Sequence, residues 1–266
     1  MIENLKFAIA KPVIEKNIKY KSIHKNETCL LFGNGSSLKL FDLVKLSSFF
    51  SIGCNSLFLH NDYALLKQNY YVLPTTFQFF PFRKYYETWT KNHIGLIYAD
   101  RVKALPSVSF FTSLTNWVPW APSNVHYMHH FGEKVADASH VDLHRRFSFM
   151  QGGLNAMVGL AIYMGFKEAI LVGCDYTFSP ARSLHFFEKG PGSNLDGFSD
   201  YSVDFFSECQ SLISLFNMVP KGLKSNFLPS VTYEDITGEK EAYKENSLII
   251  SSDYLAKLGN HKHYFL

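Results

Sequence analysis

The chain is short of charge. Acidic and basic residues make up 18% of its 266 positions, below the roughly 25% usual for soluble domains. That excludes a disordered acidic or basic tail and a highly charged solvated helix. A net charge of +3 is too mild for a nucleic-acid binder. Cysteine is sparse. Cys29, Cys54, Cys174 and Cys209 form no Cys-x-x-Cys, and three of them sit in apolar stretches. Buried free thiols in a reducing compartment are the expected state, ahead of disulfides or zinc. Long apolar runs are missing too. The longest, Ala156 to Phe166, stops at Lys167 and Glu168, far short of the ~20 residues that span a bilayer. Lys6, Lys11, Glu15 and Lys16 interrupt any leader-like segment after Met1. A cytoplasmic protein follows, with peripheral contact at the inner face of a membrane left open.

What remains is a chain able to bury a large core: 47% hydrophobic, with 25 Phe and 15 Tyr. Residues 1–27 read as a basic extension and 28–266 as one domain. Short apolar runs at Thr28–Phe32, Phe49–Cys54, Tyr70–Leu73, Ile94–Tyr98, Val108–Phe111 and Val125–Met128 read as strands. Gly152–Phe166, apolar all round, reads as a buried helix that runs directly into a strand at Glu168–Val172. A helix is expected from about Ser37, another over Asp200–Val219, and a strand or helix over Leu248–Leu258. The aromatic stretch 74–92 reads as a helix on the sheet or as an acceptor- or membrane-facing surface. Residues 179–200, rich in Gly, Pro and Ser, form a loop too long for a plain connector and read as a lid. Alternation of strands and helices predicts an α/β, Rossmann-like domain with a mainly parallel sheet.

In such sheets ligands sit beyond the carboxyl ends of the strands. Three ends carry small or polar residues: Gly33-Asn34-Gly35-Ser36-Ser37 after the first strand, Asn55 after the second, and Asp175-Tyr176 after the late one. Glycines let backbone N–H groups approach an anion. Gly152 and Gly153 would do the same at the start of the buried helix. Ser36 and Ser37 either cap a helix or bind a phosphate. Taken alone, the first turn is neither a dinucleotide fingerprint nor a P-loop, and a plain tight turn explains it equally well.

Three blocks taken together are more informative: GNGSSL at 33–38, CNSLF at 54–58 and GFKEAILVGCDY at 165–176. Their order and spacing over about residues 28–178 resemble the bacterial sialyltransferases of glycosyltransferase family 42. They also resemble the wider group of motility-associated glycosyltransferase and hydroxymethylpterin pyrophosphokinase-like domains. The resemblance implies transfer of sialic acid or a related acidic sugar from a CMP-activated donor to a glycan or glycolipid acceptor, in the setting of lipooligosaccharide synthesis. It implies donor contacts at Gly33, Asn34, Gly35 and Asn55, with Gly152 and Gly153 near the cytidine; Ser36, where the family usually has proline, joins the nucleotide contacts on its hydroxyl alone. It further implies a lid beginning at Asp175 and Tyr176, with Tyr176 steadying the departing phosphate. A related enzyme with another nucleotide donor or a diphosphate transfer, or a non-catalytic nucleotide-binding partner in glycan assembly, remains an alternative. A homo-oligomer is left open.

Transfer to a hydroxyl needs a base. The one histidine between His144 and His261 is His185, in the lid. It reads either as that base or as a ring packed on Phe186 and Phe187. Arg182 and Lys189 flank it, as phosphate contacts or as plain loop charges. No Asp-x-Asp occurs, and a CMP sugar has one phosphate, so no metal or other cofactor is expected. His126, His129, His130, His140 and His144 lack an HExxH pattern or a cysteine partner.

Overall fold

The structure, a computed structural model, describes residues 2–75, 98–129, 140–145, 147–149, 152–195 and 203–247. At its centre is an eight-stranded sheet. β1 (Thr28–Phe32), β2 (Phe50–Cys54), β3 (Tyr70–Leu73), β4 (Ser109–Ser113) and β5 (Val125–Met128) run outward in order. β6 (Glu168–Val172) returns to the other side of β1. Short two-residue strands follow: β7 (Phe178–Ser179), β8 (Ala181–Arg182) and β9 (Asn194–Leu195). Then β10 (Ser214–Met218) pairs with β6, β11 (Lys224–Ser225) with β7, and β12 (Ser230–Val231) with β10. Every neighbouring pair in the large sheet is parallel, with β1 in register against β2 on one side and β6 on the other. The fold is a doubly wound, Rossmann-like α/β sheet.

Alternation along β1 sorts the two faces. Cys29 and Leu31 point into a core built with Ile52, Val72, Phe111 and the helix Gly153–Met164. Leu30 and Phe32 point the other way, towards Leu38, Leu43, Tyr71 and Val172. The helix Gly153–Met164 is apolar all round because it is covered all round. It ends at Gly165 in the left-handed conformation (φ 84°), which glycine adopts without steric cost.

Several expectations need correction. No α-helix follows Ser37. Ser36–Leu40 and Leu43–Leu46 are two separate 3-10 turns, the second opened by Asp42, whose side chain accepts from Val44 N at 3.0 Å. Leu38 is pinned below Gly173 and Ser37 is tied to Asp175, so the segment cannot wind on. The helix Val203–Gln210 stops well before residue 219, and Ser214–Met218 is a strand. A short apolar run fits either period, and parallel pairing with β6 settles this one. Tyr98 does not end a strand. It lies in a helical stretch described over 98–104, where Tyr98 and Val102, four residues apart, are both buried.

Residues 14–27 pack into the domain rather than trail from it. Ile14 and Tyr20 are buried, and Asn17 donates to the carbonyls of Tyr127 (2.8 Å) and Leu143 (3.2 Å). The aromatic run at 76–92, residues 94–97, His130, 196–200 of the lid and 248–266 lie outside the described residues.

Candidate functional site

Strand order reverses between β1 and β6. A crevice opens there beyond the carboxyl ends of the strands. The turn after β1 and the segment after β6 meet across it. Gly33 N donates to Val172 O at 2.8 Å and Gly35 N to Gly173 O at 2.7 Å. This approach demands glycine: a Cβ on Gly33 would lie 2.3 Å from Gly173 O, and one on Gly35 would lie 2.2 Å from the Asp175 carboxyl.

Asp175 is buried where the two segments join. Its carboxyl accepts from Ser37 N (2.8 Å), Ser36 Oγ (3.1 Å) and Ser37 Oγ. Burial pushes its pKa up, and the bonds from Ser37 and Ser36 pull it back. Asp175 and Ser36 therefore brace the corner. Ser36 Oγ also lies 3.1 Å from Ser183 O, and Ser36 is not on the cavity wall.

The cavity encloses about 140 Å³ and is walled by Gly33, Asn34, Gly35, Asn55, Gly153, Asp175, Tyr176 and His185, eight of the positions singled out from sequence. Gly152 stands one residue outside the wall as the N-cap of the buried helix (φ 84°). Asn55 holds a left-handed backbone (φ 49°), which asparagine tolerates better than most residues. Its carbonyl accepts from Tyr71 Oη at 2.8 Å. Gly153 brings the helix start against β2: a Cβ there would lie 2.8 Å from Cys54 Sγ and 3.1 Å from Asn55 Nδ2.

Asn34 is oriented by its neighbours. Its Nδ2 donates to Cys54 O at 3.1 Å, so rotating the amide would set oxygen against oxygen. Oδ1 is thereby left as a buried acceptor without a partner. Two thiols, Cys54 and Cys174, also wall the cavity. Burial pushes the first up to about 12 and the second well above the usual thiol range, so neither is a nucleophile at neutral pH.

The lid folds back over the glycine turn. Leu184 O accepts from Ser36 N (3.2 Å), Phe186 N donates to Asn34 O (3.0 Å), and Gly35 and His185 form an antiparallel bridge. Buried Lys39 fastens the lid from below through Glu188 O and Gly190 O (2.7 Å), and reaches Glu245 Oε1 at 2.6 Å. His185 is half exposed and stacks on Phe187, with centroids 4.9 Å apart. Its Nδ1 lies 2.8 Å from Glu188 Oε2, which also accepts from His185 N at 2.7 Å. These bonds hold the Glu188 carboxyl below its usual pKa. An ionised carboxylate only accepts, so Nδ1 is the ring nitrogen that donates to it. Sequence reading missed Glu188. The His-x-x-Glu spacing at 185–188 was the signal for it.

The described histidines upstream are held by other partners. Among the described residues no set of three or more His, Cys, Asp or Glu could hold a metal ion. His126 Nε2 lies 2.6 Å from Tyr20 Oη, and His144 Nδ1 lies 2.7 Å from Tyr163 Oη. No described helix is long and apolar enough to cross a membrane.

Fold and site together define a Rossmann-like α/β protein with a cavity at its reversal of strand order. No known family and no curated protein matches the chain. Among solved structures it is similar to the sialyltransferase CstII from Campylobacter jejuni, in complex with cytidine 5′-monophosphate as a substrate analogue. That likeness has a TM-score of 0.46 and 16% identity, and covers 88% of this chain and 98% of that one.

Proposed function

We propose that the chain is a glycosyltransferase that moves sialic acid or a related acidic sugar from a CMP-activated donor to a glycan or glycolipid hydroxyl without a metal ion. One observation carries the reading: residues from the three sequence blocks, far apart in the chain, wall a single cavity that also holds a carboxylate-oriented histidine. The glycine turn and the start of the buried helix offer backbone N–H groups to the nucleotide. Asn34 offers Oδ1 to a hydroxyl or amine of the donor.

In the transfer, His185 Nε2 takes the proton of the acceptor hydroxyl as its oxygen bonds to the anomeric carbon. The bond from that carbon to the phosphate oxygen breaks, and CMP leaves with the electron pair. Glu188 holds the ring in the required tautomer and stabilises the imidazolium that forms. Tyr176, on the cavity wall, donates to the departing phosphate. A single phosphate has no diphosphate bridge for a metal to clamp.

Calorimetric titration with CMP, UMP, AMP and GDP tests the donor class. A transfer assay from CMP-sialic acid in the presence of EDTA tests the reaction. CMP binding and EDTA-resistant transfer are expected. His185→Ala should lower kcat by about 100-fold or more with CMP affinity nearly intact. Wild-type turnover in that variant removes His185 as the base. Preference for a metal-bound diphosphate nucleotide, or binding without transfer, overturns the reading.

A further inference from the structure

Arg182 is the cavity-wall residue, among those described, that carries a permanent positive charge. It stands on β8, paired antiparallel with β9 inside the lid. The lid is itself bonded to the glycine turn through Ser36, Asn34 and Gly35. One arm of the guanidinium is fixed: Nη2 donates to Pro191 O at 2.6 Å. Nε is buried and has no partner, and none of the ion pairs among the described residues includes Arg182. A buried donor on a charged group is costly to leave unmade. On the same wall Asn34 Oδ1 is a buried acceptor in the same condition.

We infer that Arg182 binds an anionic oxygen of the ligand, with Asn34 Oδ1 taking a neighbouring hydroxyl. The cavity thus selects a molecule that carries a negative oxygen beside an O–H group. Resting on the CMP-sugar reading, this assigns Arg182 to the donor's phosphate or to the carboxylate of its acidic sugar. Arg182 supplies there the positive charge that a metal supplies in other transferases. Because the Arg182 backbone belongs to the lid, binding the anion also holds the lid against the glycine turn.

Calorimetry on the full chain tests this with CMP, AMP, UMP, cytidine, free sialic acid and CMP-sialic acid, in wild type, Arg182→Gln and Arg182→Lys. Arg182→Gln should weaken the anionic ligand by about 10- to 100-fold and leave cytidine unchanged. Arg182→Lys should recover part of the loss, since it keeps the charge and loses the planar fork. Loss for CMP identifies the phosphate. Loss for CMP-sialic acid and sialic acid, but not for CMP, identifies the carboxylate. Equal affinity for every anionic ligand in wild type and Arg182→Gln overturns the inference and leaves the donor reading standing. A wild type that binds AMP or UMP instead of CMP, with that binding lost in Arg182→Gln, overturns the donor reading and keeps Arg182. Weakening of cytidine in parallel with CMP makes Arg182 a structural brace through Pro191 and sinks the proposal. So does a wild type that binds none of these molecules.

Discussion

The two ends of the parallel sheet use their polar side chains differently. At the amino ends of the strands, histidines and tyrosines are paired. His24 bridges Glu27 and Tyr70 Oη (2.6 Å) and stacks on Phe166. His126 meets Tyr20, whose hydroxyl also donates to Ser109 Oγ at 3.0 Å. His144 meets Tyr163, whose hydroxyl donates to Asn17 O at 3.2 Å. Each pair ties residues 14–27 to the sheet or to the buried helix. At the carboxyl ends, glycines open a cavity whose wall keeps Asn34 Oδ1 and Arg182 Nε without partners. Residue type alone would assign chemistry to the wrong end. Clustered histidines look like ligands and here act as fasteners, whereas plain turn residues shape the cavity.

The largest effect is expected at Asp175, where the carboxyl end is bonded as closely as the amino end. Asp175→Ala strips the acceptor from Ser37 N and from the hydroxyls of Ser36 and Ser37. Two or more buried donors left unmade should cost about 3–5 kcal/mol, read by urea unfolding. The cavity corner should open with it, so nucleotide binding should fall as well. If stability drops by less than about 1 kcal/mol, Asp175 is free for a ligand, and the division between brace and binding group is wrong.

The amino end is tested by acid. Burial pushes the His126 pKa down to about 4 from an ordinary 6.5, with Lys19 adding to the shift; Tyr20, Ser109 and Phe111 face the ring. The folded state holds the ring neutral while the unfolded chain takes up the proton. Its contribution is therefore complete above 6.5 and is lost as pH falls from there towards about 4. At roughly 1.4 kcal/mol per unit, the loss is at most about 3.5 kcal/mol. His144 and His60, also lowered by burial, act in the same direction. His126→Gln should flatten the decline in unfolding free energy between about pH 6.5 and pH 4.5. An equally steep decline in the variant would show that the His126–Tyr20 pair does not fasten that end.

Much of this was legible in the sequence, and the parts that were not share a cause. Strands such as Thr28–Phe32 and Glu168–Val172 are buried on both faces, so their continuous apolar runs could be read directly. The corners of the site were readable because Gly33, Gly35 and Gly153 stand where another backbone or side chain comes close. Failures came where a partner far away in the chain decides the outcome. Ser36 and Ser37 have the chemistry of phosphate ligands, yet a carboxyl nearly 140 positions later claims them. Ser214–Met218 has no local mark that separates strand from helix until β6 lies beside it. Tyr20, His24 and Asn17 looked like a polar extension because their partners are in β3, β5 and the buried helix.

The smallest change in stability is expected at Glu188, where the carboxyl end sets a histidine against a carboxylate as the amino end does at His24 and Glu27. The settings differ. His24 is buried, with both ring nitrogens engaged, whereas His185 is half exposed and meets its carboxylate through Nδ1. Glu188→Gln removes the negative charge that stabilises the imidazolium but keeps a group able to accept from Nδ1. Unfolding free energy should move by no more than about 0.5 kcal/mol. Turnover should fall about 10-fold or more, with donor affinity held. Unchanged turnover would leave Glu188 a structural role, making His185 a second fastener like His24 rather than the group proposed to take the acceptor's proton.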